Sequence, residues 1–483
     1  MNRAAMNSLH GPRSPKKSRR GISLLELALL GGTGYILYPY AFPPKSAEAS
    51  TTTHGTSVPR VREAGPGQED QIPVSSPVKV LNLIEANRKL REQVHTFSFE
   101  GPDGRNGRID VVRVPSNNPV EDYWSVGVGG RPVDQGHGMV FAGVYDGHAG
   151  WATSTILRES LIPYVSTALA GLAPSSSSEA MDTAIKTAFR NLDDRIMENA
   201  MKTVKTHNPG SPDALSALAP AVAGSCALLA IYDPITSMLR TAVAGDSRAV
   251  LGSWAADAST FTAEALSVDQ NGFNEDEVAR LCEAHPGEKE AMLDPRTGRL
   301  FGMAITRAFG DHRWKYPRDF LKHLRKLFFD TGPRPGYKTP PYMTAEPEIT
   351  TRKVSTNDFV ILASDGLWDH MSNEDAVECV SLWLAARRAG KAEEVPKQRQ
   401  EPAEVTVARE GFGSWRATPE HFAIEDLDNA AVCLAKNAFG GNRRELFRGI
   451  MTEVAPRSRY VRDDVTVQVI FFEDPYQEAV KRS

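Results

Sequence analysis

Short apolar runs alternate with longer stretches of helical periodicity along most of the chain. The run Met139–Tyr145 has the length of a buried strand, and apolar residues then recur at helical spacing from Ile156 to Val165. A second helix is predicted after the serine-rich loop near residue 175. The apolar positions on one face of this helix are Ile185, Phe189, Leu192 and Ile196.

Further apolar runs extend this pattern towards the carboxyl terminus. Ser225–Tyr232 and Leu239–Leu251 are predicted to be two adjacent strands around a turn at Asp233-Pro234. The remaining predicted elements are a strand at Asp358–Ser364, a helix at about Asn373–Ala389 and a final strand at Val465–Phe472. Short strands separated by pairs of helices predict an α+β fold, with a central β-sandwich covered by helices.

The amino-terminal part of the chain differs from the rest. Residues 1–20 are basic, 21–42 are apolar, 43–78 are rich in Pro, Ser, Thr and Gly, and 79–475 have the pattern of one globular domain. A basic, acid-poor start is typical of a mitochondrial targeting segment. The apolar stretch is close to the ~20 residues that span a bilayer, so it is a candidate transmembrane segment; a buried core helix is the alternative. Within the globular part, residues 390–420 are polar and are predicted to form an insertion.

Composition excludes several classes of protein. The 483 residues carry a net charge of −4, so there is no basic surplus for nucleic-acid binding. The four cysteines are too far apart in sequence for a zinc knuckle and too few for a disulfide scaffold.

Acidic residues stand repeatedly at the ends of predicted strands. Glu121-Asp122 precedes the strand Tyr123–Val128, Asp146 and Asp365 each end a strand before a glycine, and Asp463-Asp464 precedes the last strand. Any one of these is most often a turn. Together they indicate a site for Mg²⁺ or Mn²⁺, which prefer oxygen ligands.

The two residues that follow Asp146 also suit a metal-dependent reaction. Gly147 lets a backbone carbonyl approach an ion closely. His148 is a candidate general acid for a leaving alkoxide, although a lone histidine at such a turn is more often structural.

The acidic segments also resemble a known family. They occur in the order found in the metal-dependent serine/threonine protein phosphatases of type 2C, and the resemblance extends from about Arg91 to Glu473. The matching motifs are Glu121-Asp122, Asp146-Gly147-His148-Ala149-Gly150, Gly245-Asp246-Ser247-Arg248, Asp365-Gly366-Leu367-Trp368-Asp369 and Arg462-Asp463-Asp464. The resemblance implies a sandwich of two antiparallel sheets flanked by helix pairs, with two metal ions, Mg²⁺ or Mn²⁺, at one end.

The resemblance also implies roles for individual residues. Asp146 would bridge both ions, the Gly147 carbonyl would bind one, and Asp365 and Asp463 would bind the other. His148 would protonate the departing serine or threonine oxygen. Glu121 and Asp122 would contact the metals through water, and Asp246 and Asp369 match positions of a further, weaker ion.

Two positions depart from the family pattern. Asp464 replaces the usual asparagine; because neighbouring strand residues face opposite sides, we expect Asp463 rather than Asp464 to reach the metals. Asn117 stands where many members carry a phosphate-binding arginine, so we expect it in the phosphate site, or else only shaping the turn at Asn118-Pro119.

Within the family, four segments resemble the mitochondrial pyruvate dehydrogenase phosphatases and their fungal relatives. This implies a pyruvate dehydrogenase subunit as the phosphoprotein substrate, and a place in the mitochondrial matrix or at the inner membrane. The alternatives are a catalytically inactive scaffold, another Mg²⁺-dependent phosphoryl-transfer enzyme, or action on other mitochondrial phosphoproteins. The segments are Asn117–Asp122, Asn271–Glu275, Arg307–Asp311 and Pro341–Glu348.

Overall fold

Two antiparallel sheets lie face to face at the centre of the computed structural model, which describes residues 78–101, 104, 106–130, 137–390, 406–407 and 413–475. One sheet has six strands in the order β1-β2-β16-β13-β9-β10, and the other has five in the order β12-β8-β7-β4-β3. The six strands are β1 (Val94–Glu100), β2 (Asn106–Val114), β9 (Arg248–Ala255), β10 (Thr260–Ala265), β13 (Phe359–Ala363) and β16 (Val465–Phe471). The five are β3 (Tyr123–Gly129), β4 (Met139–Tyr145), β7 (Ala227–Asp233), β8 (Met238–Ala244) and β12 (Glu348–Lys353).

Two small sheets complete the strands of the described residues. A three-stranded sheet joins β5 (Gly147–His148), β6 (Gly224–Ser225) and β11 (Phe309–Gly310), with β6 in the middle. A two-residue pair joins β14 (Thr406–Val407) to β15 (Gly413–Ser414).

Helices surround the two large sheets. The α-helices are α1 (Leu83–Leu90), α2 (Ala152–Ala170), α3 (Ser178–Thr206), α4 (Pro212–Val222), α5 (Glu275–Ala284), α6 (Lys289–Met292), α7 (His312–Lys315), α8 (Arg318–Leu327), α9 (Asp365–Trp368), α10 (Asn373–Ala389), α11 (Ala430–Ala438) and α12 (Arg444–Thr452). Two 3₁₀ turns lie at Pro419–His421 and Arg457–Tyr460.

Three buried layers explain why several strands are apolar along their whole length. In β4, Val140 and Val144 face the other sheet, whereas Phe141 and Tyr145 face α2 and α3. The same alternation in β13 divides its side chains between the sandwich and the layer under α10 and α11. Because side chains alternate across a strand, a strand covered on both faces has no position that faces water. The predicted α+β sandwich with flanking helix pairs is confirmed.

The predicted strand Leu239–Leu251 is wrong in one respect. It is two strands, β8 and β9, and they belong to different sheets. The chain crosses over at Gly245, whose φ is +126° and where an added Cβ would lie 2.3 Å from the Cys226 sulfur. The residues Gly245-Asp246-Ser247-Arg248 interrupt the apolar run and are the sequence sign of this break.

Several predicted segments fall outside the described residues. These are the basic segment 1–20, the apolar segment 21–42, nearly all of the linker 43–78, and most of the insertion at 390–420; they stay predictions. In the described part of the chain, no helix has the length and apolarity needed to cross a bilayer. At the end of the predicted insertion, the buried Trp415 ring stacks on His370 with 4.1 Å between ring centroids.

Candidate active site

Antiparallel pairing brings the acidic ends of the strands to one end of the sandwich. Tyr123 at the start of β3 pairs with Tyr145 at the end of β4. On the other sheet, Ser364 N, which follows β13, donates to Thr466 O near the start of β16, at 3.1 Å. The carboxylates next to these residues therefore face a common space between the sheet ends.

Three aspartates form the centre of this site. Carboxylate oxygens of Asp146, Asp246 and Asp365 all lie within 4.8 Å of one another. They follow β4, β8 and β13, which is where the sequence predicted Asp146 and Asp365. Asp246, predicted only for a further ion, lies as close to the centre as the other two.

Electrostatics at this centre favour a bound cation. Burial raises the pKa of Asp146 well above its usual range, and the charges of Asp365, Asp122, Asp463 and Asp246 raise it further. Burial and neighbouring carboxylates do the same to the pKa of Asp365. Like charges held together away from water are costly unless an opposite charge offsets them. An all-oxygen, multiply negative cluster therefore fits a hard divalent cation such as Mg²⁺ or Mn²⁺.

The adjacent acids Asp463 and Asp464 point in different directions. Asp463 forms an ion pair with Arg459 and raises the pKa of Asp365, so it borders the central cluster. Asp464 is buried and accepts from the backbone N–H of Asn117 (3.0 Å) and of Glu121 (2.8 Å), among others. Asp464 thus fixes the loop 116–122, whereas the charge of Asp463 acts on Asp365 and Asp146 of the central cluster.

That loop positions Glu121 and Asn117. Glu121 accepts from Gly150 N through one carboxylate oxygen and from the Asn117 amide through the other. The Asn117 side chain therefore lies at the site, but its amide is bonded to Glu121. Asp122, next along, is buried and accepts from Ser364 Oγ at 2.8 Å. Burial, followed by the charges of Asp464 and Asp463, raises the pKa of Asp122.

Gly147 is required for the backbone next to Asp146 to pack against the backbone of Glu121. A Cβ at residue 147 would lie 2.3 Å from Glu121 O and 2.7 Å from Ser154 Oγ. Any larger residue would push the 121–122 loop away from Asp146.

His148 has a partner that the sequence did not reveal. His148 Nε2 lies 2.7 Å from Asp311 Oδ2, and Asp311 is 1% exposed. Burial by itself lowers the pKa of His148, but the carboxylate of Asp311 outweighs it and the net shift is upward. From the sequence, Arg307–Asp311 was used only as a likeness to relatives. The signal for Asp311 in this segment was a Gly-Asp pair directly after the apolar Phe309, the same pattern of an acid at a strand end.

Two other residues border the cluster. The buried Cys226 thiol donates to Asp246 Oδ1 at 3.2 Å, a contact that no sequence pattern indicated. Asp369 is exposed just past α9, and its charge raises the pKa of Asp365. It lies outside the three-aspartate centre.

Comparison with known proteins agrees with this geometry. A family profile described as Protein phosphatase 2C matches residues 136–406. A protein phosphatase 2C homolog of Schizosaccharomyces pombe is 39% identical over 376 residues, covering 76% of this chain and 80% of its own length.

Two mitochondrial proteins are also similar along most of the chain. Pyruvate dehydrogenase (acetyl-transferring)-phosphatase 1 of Saccharomyces cerevisiae is 34% identical, covering 93% of this chain and 85% of its own length. The human protein of the same name is 29% identical, with coverages of 82% and 83%. The chain belongs to the protein phosphatase 2C family, and it is a metal-dependent protein serine/threonine phosphatase.

Proposed function

We propose that this phosphatase removes phosphate from serine or threonine of a pyruvate dehydrogenase subunit in mitochondria. The observation that carries the chemistry is the cluster of Asp146, Asp246 and Asp365, with oxygens within 4.8 Å of one another. The substrate and the compartment are supported by the names of the yeast and human relatives. The basic segment 1–20 supports import independently of them.

Asp146, the Gly147 carbonyl, Asp365 and Asp463 would hold two Mg²⁺ or Mn²⁺ ions. Glu121 and Asp122 would contact the ions through water, and Asp246 and Asp369 would hold a further ion. When bound, paired divalent ions lower the pKa of water and offset charge on the phosphoryl oxygens. No phosphoenzyme is required.

His148 acts as the general acid for the departing serine or threonine oxygen. Its Nε2 faces Asp311, whose charge stabilises the protonated imidazole. An alkoxide is a poor leaving group, so a proton donated to it accelerates the reaction. Because Asp311 holds the Nε2 side of the ring, the proton that goes to the leaving oxygen is the one on Nδ1 of the imidazolium. Asp311 does not contact the substrate in this proposal; it is a positioning residue.

The Asn117 side chain supplies a neutral hydrogen bond at the edge of the phosphate site. Its amide is already bonded to Glu121, so its grip on a phosphate is weak compared with that of an arginine. Affinity for the substrate therefore comes mainly from protein surface around the cleft.

Purified protein incubated with phosphorylated pyruvate dehydrogenase tests the substrate. We expect Mn²⁺-dependent phosphate release that is at least tenfold more efficient than from an unrelated phosphoprotein such as casein. Equal efficiency on both would contradict the assignment of the substrate while leaving the phosphatase activity intact.

Protease treatment of mitochondria stripped of their outer membrane tests the compartment. A matrix enzyme is protected, whereas degradation of the catalytic domain would place it outside the matrix, on an anchor at residues 21–42.

A further inference from the structure

We propose that Arg459 is the cation that binds the substrate phosphate, in place of the arginine that position 117 lacks. This rests on the proposed metal role of Asp463. The Arg459 guanidinium pairs with the Asp463 carboxylate. A metal ion held by Asp463 would share the same oxygens, which would leave the Arg459 guanidinium available to bind the phosphate.

The position of Arg459 is set by its neighbour. The buried Ser458 hydroxyl donates to Ser116 O. Ser116 directly precedes Asn117, and the Asp464 carboxylate accepts from the Ser116 and Asn117 backbone N–H groups. The 3₁₀ turn Arg457–Tyr460 is therefore fixed against the loop in which other family members carry their arginine.

The charge of Arg459 acts on both sides of the site. Burial by itself lowers the pKa of Arg459, but the charges of Asp463, Asp365 and Asp464 outweigh burial, so the net shift is upward. Burial raises the pKa of Glu121, and the charge of Arg459 opposes this rise. The side chain is 44% exposed while Asp463 is 22% exposed, so the guanidinium lies on the solvent side of the carboxylates. A phosphate that enters from solvent meets it first.

Other arginines near the site are held by groups that metal binding does not remove. Arg248 forms two hydrogen bonds to Asp269, at 2.9 and 2.6 Å. Arg113 donates to Asp122 O at 2.7 Å, and Arg462 donates to Pro115 O at 2.6 Å. Arg459 differs because its partner is itself a candidate metal ligand.

Equilibrium binding of inorganic phosphate to the Mn²⁺-loaded protein tests the proposal. Arg459→Gln should weaken phosphate binding about ten- to a hundredfold, because a charge-assisted and often bidentate contact is lost. It should raise KM for p-nitrophenyl phosphate similarly, with a smaller effect on kcat. The matched control is Arg457→Gln in the same turn; Arg457 pairs with Glu453 at 3.0 Å and is 76% exposed. It should bind phosphate as the wild type does.

Restoring the charge at the other position gives a second test. Asn117→Arg combined with Arg459→Gln should recover most of the lost phosphate affinity. Phosphate affinity that is unchanged in Arg459→Gln, or lowered equally in Arg457→Gln, would overturn the proposal.

A separate Mn²⁺ titration of Asp463→Asn keeps the two hypotheses apart. Weakened Mn²⁺ binding supports the metal role of Asp463, on which the release of Arg459 depends. Unchanged Mn²⁺ binding would overturn the metal role of Asp463 and the release step, whereas the phosphate titration decides the role of Arg459 independently.

Discussion

His148 and Asp311 form a partly buried imidazole–carboxylate pair at 2.7 Å, although they stand 163 positions apart in the chain. The small sheet explains how they meet. Gly224 of β6 pairs with His148 of β5 on one side and with Gly310 of β11 on the other. The middle strand thus sets the general acid and its positioning residue on either side of one glycine.

Asp311→Asn should lower kcat for a phosphothreonine protein about ten- to a hundredfold. This is less than the roughly hundred- to ten-thousandfold that a general acid itself contributes, because Asp311 only positions His148. It should change kcat for p-nitrophenyl phosphate much less, because nitrophenolate departs without a proton. Steady-state kinetics on both substrates measure this selectivity. Asp330→Asn breaks the buried pair with His312 and should cost stability without any dependence on the leaving group. Equal losses on both substrates in Asp311→Asn would argue against the role of Asp311.

Gly224→Ala should inactivate the enzyme towards phosphothreonine protein. An added Cβ would lie 2.1 Å from His148 Nε2 and 2.3 Å from an Asp311 carboxylate oxygen, so the pair must separate. Gly449→Ala, within α12, meets nothing within 4 Å and should leave activity unchanged while stabilising the helix by ~0.5–1 kcal/mol. Wild-type kinetics in Gly224→Ala would contradict the geometry of the pair.

The local sequence pattern predicted the strands and helices and the acidic residues that directly follow them. The runs Met139–Tyr145 and Val465–Phe472 and the helix Asn373–Ala389 were placed almost to the residue. Met139–Tyr145 is a continuous apolar run because it is buried on both faces. Asp146 and Asp365 were found because each follows such a run. By contrast, Asp311 and Cys226 reach the site through strand pairing across more than 75 residues, and no local pattern encodes that pairing.

The Asp463-Asp464 pair shows the same limit. Strand alternation predicted that only one would face the metals, but not what the other does. The Asp464 carboxylate satisfies backbone N–H groups of a loop more than 340 residues earlier in the chain, and this contact exists only once the sheet has formed.

Asp464→Ala should therefore destabilise the protein and weaken Mn²⁺ binding together. It leaves several buried backbone N–H groups without an acceptor, at a cost of at least ~1–3 kcal/mol, measured by urea unfolding. Asp358→Ala is the matched control, since Asp358 is also buried and accepts from Trp254 N and Ser355 N, at 2.9 and 2.7 Å, away from the site. It should lower stability but leave Mn²⁺ affinity unchanged. If Asp464→Ala kept wild-type Mn²⁺ affinity, the loop would not depend on this carboxylate.

The Glu277 carboxylate is expected to lose its contribution to the free energy of unfolding in acid. Burial by itself raises its pKa, but hydrogen bonds from Arg280 and Arg307 outweigh burial and lower the pKa to about 2. A carboxyl whose pKa is depressed on folding stabilises the protein above its unfolded value of about 4.5, and this contribution is lost as pH falls towards 2. Between pH 7 and pH 3 the loss is about 2 kcal/mol.

Urea unfolding of wild type and Glu277→Gln at several pH values measures this contribution. The variant should be less stable at pH 7, because Arg307 loses its buried partner, and the difference between the two proteins should shrink as pH falls to 3. A difference that stays constant with pH would show that the Glu277 carboxylate is not the stabilising group.

Equilibrium titration of Mn²⁺ into wild type and Asp146→Asn, with turnover of a phosphothreonine protein measured on the same samples, tests the central claim most directly. Asp146 is the carboxylate proposed to contact both ions, so its loss should weaken Mn²⁺ binding and lower turnover together, each at least a hundredfold (a loss of about 3 kcal/mol). Chelator should abolish wild-type turnover, and added Mn²⁺ or Mg²⁺ should restore it. Wild-type Mn²⁺ affinity and turnover in Asp146→Asn, or turnover that persists in chelator, would contradict a phosphatase built on this aspartate cluster.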